Sequence, residues 1–429
     1  MEPVELGRED GALYGEQTRL TLKNMSFSGV PLSRFPVYLR SAAQVKKACA
    51  AANARAGLLP QARAERIGRA CERLIAGEYT GQFPVDVYHG GGGIGINMNL
   101  NEVIAALAGD GVEAVDEVNL SQSTSDVCHT SLRLALLELL EGLDAALERW
   151  ILVLEEKAGA FSQVNTIART CLQDGMSVPA SALFEGTAAA LRRQRGQLRA
   201  WRPKLLAVNL GWTVIGSGTG APEAYRREIL PALREVTGRE LVWRESHYDS
   251  AQYPDDVAGL SGAVRRLAEI LAKLARDLRL LSSGPETGLM ELRLPAVQAG
   301  SSFFPGKVNP VIPEMMIQCA MLIGGHDGVI QSALGQGEIH INLWEEMMGF
   351  LLMDSMEMLR GAMSSFLANC VAGVELNRAV CEGYAASRVP LIVACKERYG
   401  YRYLSDWIKR EGTEAVVEQL RRERQPERN

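Results

Sequence analysis

Aromatic residues are scarce, at 6% of a 429-residue chain, and positive charge is not in excess. Lysine and arginine number 46 against 51 acidic residues, a net charge of −5. No broad basic surface can form on such a chain, which excludes general binding to a nucleic-acid backbone. Few aromatics beside abundant Ala and Leu favour helix packing over a β-sandwich. Long apolar runs are also missing. The longest, Met315–Gly325, lies between Glu314 and Asp327 and falls far short of the roughly 20 residues needed to span a bilayer. The start, MEPVELGRED, is acidic and has no apolar core, so it does not read as a signal peptide. Eight cysteines are scattered at 49, 71, 128, 171, 319, 370, 381 and 395 without CxxC spacing. They suggest neither a zinc site nor a disulfide framework, and reduced thiols in a cytoplasmic protein are expected. The five histidines form no HExxH-type pattern, so no metal or other cofactor is expected. There is no internal repeat and no low-complexity tract.

What remains is an ordinary globular composition, 47% apolar and 23% charged, which excludes a disordered chain. At about 150 residues per domain the length suits three domains or one elongated body. Leu132, Leu136, Leu139, Leu143, Leu147, Trp150 and Leu154 recur at spacings of three and four, predicting a helix over about Thr130–Ala158. Leu260, Val264, Leu267, Leu271, Leu274, Leu278 and Leu281 predict a second over about Val257–Leu281. Such seams suit antiparallel bundle packing. Further helical patterns cover 40–56, 62–76, 182–201, 224–236, 313–331 and 341–368. Strand alternation is nearly absent, with Glu240–Arg244 the one short candidate. Boundaries fall before Ser121, near 369–373, and at the charged tail 421–429, which is expected to fray. The reading is all-α: an N-terminal domain 1–120, a central bundle 121–368 and a small C-terminal domain 369–429. Helices of this length invite burial against another subunit, so an oligomer is expected.

Four polar loops could carry chemistry. Gly90–Asn99 is a glycine run that could cradle an anion, or simply let backbone pack closely on helices; no Lys-Ser/Thr follows, so it is no P-loop. Ser121–Asp126 holds four hydroxyls before a helix, where a cap needs one. Arg169–Asp174 contains Cys171, more plainly a small apolar residue than a nucleophile. The sharpest is Gly300–Pro310, GSSFFPGKVNP. Its lysine can neutralise a carboxylate and its asparagine can orient one. Its serine can act as a base where N–H groups and Lys307 stabilise the alkoxide. His129 and His340 can be proposed as proton donors, although a packed or solvated histidine is the plainer reading of each.

GSSFFPGKVNPVIPEMM resembles the GSSxMPxKxNP signature of the fumarase/aspartase superfamily, and within it the aspartases most. ALYGEQT, VDVYHGGGGIGINMNLNEVIA, VNLSQSTSDV, RTCLQDGMSVP, GWTVIGSGTG and LRLLSSGPETGLMELRLPAVQAG are similar too, in order, over roughly 4–407. The resemblance implies an all-α three-domain subunit with a central long-helix bundle, a homotetramer, and active sites shared between chains. It implies β-elimination from a succinate-type substrate, giving fumarate or a relative, with no cofactor. It makes Ser301 the catalytic base, with Lys307 and Asn309 binding one carboxylate beside Thr170. Ser123, Thr124 and Ser302 surround the other carboxylate, and Glu314 is a supporting acid.

The departures cluster where the resemblance puts the leaving group. A Thr, an Asn and a His or Gln that usually meet the amino group are here Ile94, Ser125 and Cys171. Phe304 replaces the usual Met, and Trp212 lies where Gly is common. Each lost partner of a buried ammonium costs about 1–3 kcal/mol. A leaving group other than free ammonia is therefore expected, such as a substituted amine or nitrite, as in specialised lyases of secondary metabolism. Two alternatives stand beside it: a genuine aspartase, and a non-catalytic structural or binding relative. The expected partner is a small dicarboxylate, with neither nucleic acid nor membrane.

Overall fold

The computed structural model describes residues 11–424, apart from the Arg424 side chain. In chain order the helices are α1 (Glu16–Met25), α2 (Pro36–Arg55), α3 (Gln61–Ile75), α4 (Ile94–Ala108), α5 (Thr124–Phe161), α6 (Ala182–Arg199), α7 (Arg202–Leu205), α8 (Glu223–Thr237), α9 (His247–Gln252), α10 (Asp255–Leu281), α11 (Val311–Leu334), α12 (Glu345–Asn369), α13 (Arg378–Ala385), α14 (Arg388–Tyr399), α15 (Tyr401–Glu411) and α16 (Thr413–Arg424). The strands are β1 (Asn165–Thr170), β2 (Gln173–Pro179), β3 (Ala207–Val208), β4 (Val242–Trp243), β5 (Leu292–Arg293) and β6 (Glu375–Leu376). The fold is all-α, as the composition indicated. Among the described residues no helix is long and apolar enough to cross a membrane.

Both predicted seams are real. Leu132, Leu136, Leu139, Leu143, Leu147, Trp150 and Leu154 are all buried along α5. Leu260 through Leu278 are fully buried along α10, and only Leu281 at its end is partly open. α5 begins at Thr124, six residues before the predicted start at about Thr130. Its first turn is closed by polar groups instead: Ser125 N donates to Ser123 Oγ at 3.3 Å, and Ser123 N donates to Asp126 Oδ1 at 2.9 Å. That reciprocal pattern is a capping arrangement.

Two expectations are corrected and one is met. Arg169–Asp174, expected as a loop, is instead the end of an antiparallel hairpin over 165–179, β1 with β2, and only Cys171 and Leu172 form its turn. β4 does fall inside the one expected strand, pairing in parallel with β3. The charged tail is helical through Arg424, where α16 ends. The remainder of the expected frayed tail, 425–429, lies outside the described residues, as does MEPVELGRED.

The chain divides into two compact units. The first comprises residues up to Ala145, Gln194–Leu267 and Ala320–Arg360. In it α2 packs on α3 and α8, around Val45, Ala48, Cys49, Val127, Leu210, Tyr225, Ile229 and Leu233. The second comprises Ala146–Arg193, Ala268–Cys319 and residues from Gly361 onward. In it the hairpin packs on α13 and α14, and Trp150 stacks near Phe366 with its Nε1 donating to Met363 O at 3.1 Å. A separate cluster, Leu391, Cys395, Leu404, Trp407, Val416 and Leu420, ties α14, α15 and α16 together.

Candidate active site

In the second unit the 300–310 loop is held by its own backbone. Gly300 N donates to Lys307 O at 2.8 Å, and Asn309 Nδ2 donates to Gly300 O. Gly300 is required by this closure: a Cβ there would lie 2.4 Å from Lys307 O and 2.5 Å from Asn309 N. Ser301 Oγ accepts two backbone N–H groups, from Phe303 at 3.0 Å and Phe304 at 2.9 Å. Two donors aimed at one hydroxyl oxygen favour its anionic form. Ser302, Phe303, Phe304 and Lys307 are exposed. The Lys307 ammonium lies 5.6 Å from the Phe304 ring centre. Lys307, Asn309 and Glu314 line a cleft of about 950 Å³ with Arg276, Arg279 and Arg293. Glu314 pairs with Arg279 at 3.2 Å.

Thr170 and Cys171 belong to the same unit. Thr170 ends β1 opposite Gln173. Cys171 (φ 54) and Leu172 (φ 59) form the two-residue turn between them, with left-handed backbone at both positions as a type I′ turn demands. Both side chains are exposed. Arg169 anchors the strand by donating to Glu291 Oε1 at 2.5 Å, and Thr166 donates to the other oxygen.

The first unit holds Ile94, Ser123, Thr124 and Ser125. Ile94 opens α4 and is 44% exposed. Thr124 and Ser125 begin α5 and Ser123 precedes it, all three half-buried. Beneath them lies a buried network that sequence reasoning missed. Lys46, fully buried, donates to Asn119 Oδ1 at 3.0 Å and Gln122 Oε1 at 2.9 Å. An ammonium has no acceptor, so it fixes Asn119 with its oxygen inward. That oxygen then takes Asn97 Nδ2 at 3.1 Å and Asn101 Nδ2 at 3.2 Å. Asn97 Nδ2 also donates to Thr124 Oγ1 at 3.1 Å. With its oxygen accepting, the Thr124 hydroxyl keeps its proton free to donate to an anion.

Asp126 completes this support. Its carboxylate accepts from Ser123 N at 2.9 Å, Gly211 N at 2.9 Å and Thr213 N at 3.1 Å. It thereby joins the 211–213 loop to the second loop. Burial pushes Asp126 up to about 6, opposed by those three N–H groups and Lys46. Burial likewise pulls Lys46 down to about 8, opposed by Cys49, Cys128, Asp126 and Cys71. Trp212 stacks on His247 with ring centres 3.8 Å apart, its Nε1 buried without a hydrogen-bond partner among the described residues.

His129 is a packed histidine, its Nδ1 3.2 Å from Glu345 Oε1. Burial, then the neighbouring Arg133 charge, lowers it below the usual histidine range. Arg133 is fully buried and holds Asp256 at 2.8 Å and Glu345 at 2.7 Å. His340 is exposed. Among the described residues no group of three or more His, Cys, Asp or Glu is placed to hold a metal ion.

Residues 7–325 match the family model described as Lyase. Aspartate ammonia-lyase of Pseudomonas canavaninivorans is 37% identical, over 91% of this chain and 85% of its own. That of Escherichia coli K12 is 35% identical, over 89% and 82%. Among solved structures, fumarate lyase:delta crystallin from Brucella melitensis superposes with TM-score 0.93 at 37% identity, covering 99% of this chain and 96% of that one. Class II fumarase from Schistosoma mansoni superposes with TM-score 0.90 at 25% identity, covering 97% and 93%.

Proposed function

This chain belongs to the lyase family and is an aspartase-like member of the fumarase/aspartase superfamily, and on that premise we propose that it cleaves a C–N bond by β-elimination from an aspartate-derived succinate. The observation that carries this reading is Ser301 Oγ under two backbone N–H donors, which suit a serine alkoxide acting as base. Ser301 removes the proton from the carbon beside a carboxylate. The electron pair is held on that carboxylate as the aci-form, with Ser123, Thr124 and Ser302 donating to it. Lys307 and Asn309 neutralise and orient the other carboxylate, with Thr170 beside them and Glu314 supporting. The pair then forms the C=C bond as the C–N bond breaks, giving fumarate and a free amine. Preorganised donors of this kind are usually the largest contribution to such a rate.

The leaving group in this reading is a substituted amine. Ile94 supports it, an apolar side chain 44% exposed at the start of α4, and so does Cys171 in its exposed turn. A second reading, free ammonia from L-aspartate, is favoured by the 35–37% identity to proteins named aspartate ammonia-lyase. Fumarate absorbance over a panel of L-aspartate, N-substituted aspartates, nitrosuccinate and malate tests both. Faster release from an N-substituted aspartate than from L-aspartate is expected, and aspartase-like rates with L-aspartate alone would favour the second.

The assembly proposed is a homotetramer of three-domain subunits (1–120, 121–368 and 369–429) with active sites shared between chains. Met321, Leu322 and Val329 support it, as large apolar side chains left exposed on α11. A monomer by light scattering would refute it.

A further inference from the structure

Two adjacent acids at the start of α12 have opposite surroundings. Glu345 is satisfied by Arg133 at 2.7 Å and His129 at 3.2 Å, and the Arg133 charge holds it well below the usual carboxylate range. Glu346 is 7% exposed, and among the described residues no side chain donates a hydrogen bond to it. It lies directly against the first glycine loop. A Cβ on Gly93 would sit 3.2 Å from the Glu346 carboxyl carbon and 3.0 Å from Cys128 Sγ. Gly93 also has φ +86, so the loop can lie on this acid only as glycine.

Two more observations locate the acid. Cys128 is three residues after Ser125 on α5, one turn along the same face, and its thiol reaches Gly93 O at 4.0 Å. Glu346 therefore lies between the backbones that carry Ile94 and Ser125. Beside it the buried Tyr38 hydroxyl lies against the Cys128 thiol, in the field of Glu346. A nearly sealed carboxyl that takes only a backbone N–H and no side-chain donor is costly unless something polar meets it.

We propose that Glu346 is the specificity-determining acid of the leaving-group end, its carboxylate facing the cationic nitrogen of an amine-bearing substrate. This rests on the C–N lyase reading above. It explains how Ile94 and Ser125 can replace polar residues and still leave a partner for a charged nitrogen: that partner has moved from the 90–99 loop and the start of α5 to the acid packed against Gly93 and Cys128. No proton transfer is required. The nitrogen stays protonated against the carboxylate, takes the electron pair of the breaking C–N bond, and leaves as a neutral amine. The groups facing Glu346 are Glu345 on its own helix, Cys128 and Arg133 on α5, and Tyr38 on α2. Burial, then the Glu345 charge, pushes it up to about 8. With Glu346 raised in this way, affinity for a cation rises with pH until Glu346 is fully charged.

The test separates binding from turnover. In the Ser301→Ala protein, whose turnover is greatly slowed, Kd is measured by calorimetry for L-aspartate and for succinate, which lacks the nitrogen. L-Aspartate is expected to bind more tightly, and its advantage to grow by roughly 25-fold between pH 6.5 and 8.5, the gain in ionised fraction of one acid titrating near 8. Adding Glu346→Gln should remove the advantage and its pH dependence, with succinate affinity unchanged within about twofold. Glu346→Asp should restore part of it. A ratio that is flat with pH in Ser301→Ala protein overturns the proposal even if Glu346→Gln does not fold. So does equal loss of both ligands, which marks a structural role, or a preference for nitrosuccinate over L-aspartate. Failure of the C–N lyase reading looks different: the wild-type enzyme releases no fumarate from any aminosuccinate, whatever the binding ratio.

Discussion

The 300–310 loop of the second unit and the 119–126 loop of the first present similar side chains on opposite kinds of support. The former is exposed and closes on itself through backbone contacts, Gly300 N to Lys307 O and two N–H groups to Ser301 Oγ. The latter stands on a buried polar floor, with Lys46, Asn119, Asn97 and Asp126 beneath Thr124. A hydroxyl that must carry charge gains from backbone donors that do not move. A hydroxyl that must only donate needs its oxygen occupied, and a chain of amides does that. The difference also divides the consequences of mutation: the first loop should lose chemistry without stability, and the second should lose both.

The largest effect expected is on turnover. Ser301→Ala removes the acceptor of two N–H groups in an exposed loop, where water replaces it. Fumarate release should fall about 10²–10⁴-fold, with the urea midpoint and oligomer size unchanged. A loss of stability comparable to that at Lys46 would break the contrast between the loops.

At Lys46 stability and activity should both respond. Its value falls from 10.5 to about 8 in the folded protein. Between those values the unfolded chain holds a proton that the folded one has released. Folding stability from this group therefore rises with pH across that window, and is lowest below about 8. The stability of wild type relative to Lys46→Met should increase by about 3 kcal/mol from pH 7.5 to 10.5, read by urea denaturation at each pH. The same variant frees Asn119 to turn and so loosens Thr124, and kcat/KM should fall about tenfold, one lost buried hydrogen bond. Equal slopes in both proteins would mean that Lys46 is not the buried cation described.

How far the sequence carried differs between the two regions for the same physical reason. A loop held by its own backbone announces itself locally, and GSSFFPGKVNP was legible as a site. A loop held from beneath is not. Lys46 sits in an alanine-rich helix, where a charged residue reads as the solvated face, yet it is fully buried. Asn97, Asn99 and Asn101 break the apolar period of α4 although all three are buried, so that helix went unpredicted. α5 was placed from its leucine seam and its polar first turn was not. The β1–β2 hairpin was missed because both faces are largely exposed and its turn is Cys-Leu, not the usual Asn-Gly. Glu346 gave no signal, because its meaning comes from Gly93, distant in sequence.

A smaller effect sharpens the picture of the exposed loop. Asn309 both tethers Gly300 O and, in the reading above, orients a carboxylate. Asn309→Ala should raise KM for the substrate about tenfold, the value of one hydrogen bond to a charged group, with little change in melting temperature. A KM that holds while kcat falls would move Asn309 from binding to the chemical step.

The least effect concerns the hairpin, which shares exposure with the 300–310 loop but not its economy. Leu172 is 72% exposed and left-handed, with φ 59. A non-glycine residue there costs roughly 1–2 kcal/mol, and no burial of its side chain offsets it. Leu172→Gly should therefore stabilise the protein by about 1 kcal/mol, seen as a higher urea midpoint. Retained strain at an exposed turn points to function, and a freer turn would let Thr170 and Cys171 wander. The stabilised variant should accordingly show kcat/KM lower by roughly two- to fivefold, a modest stability–activity trade. A variant that gains stability and keeps full activity would reduce the turn to a scaffold and leave Thr170 positioned by its strand alone.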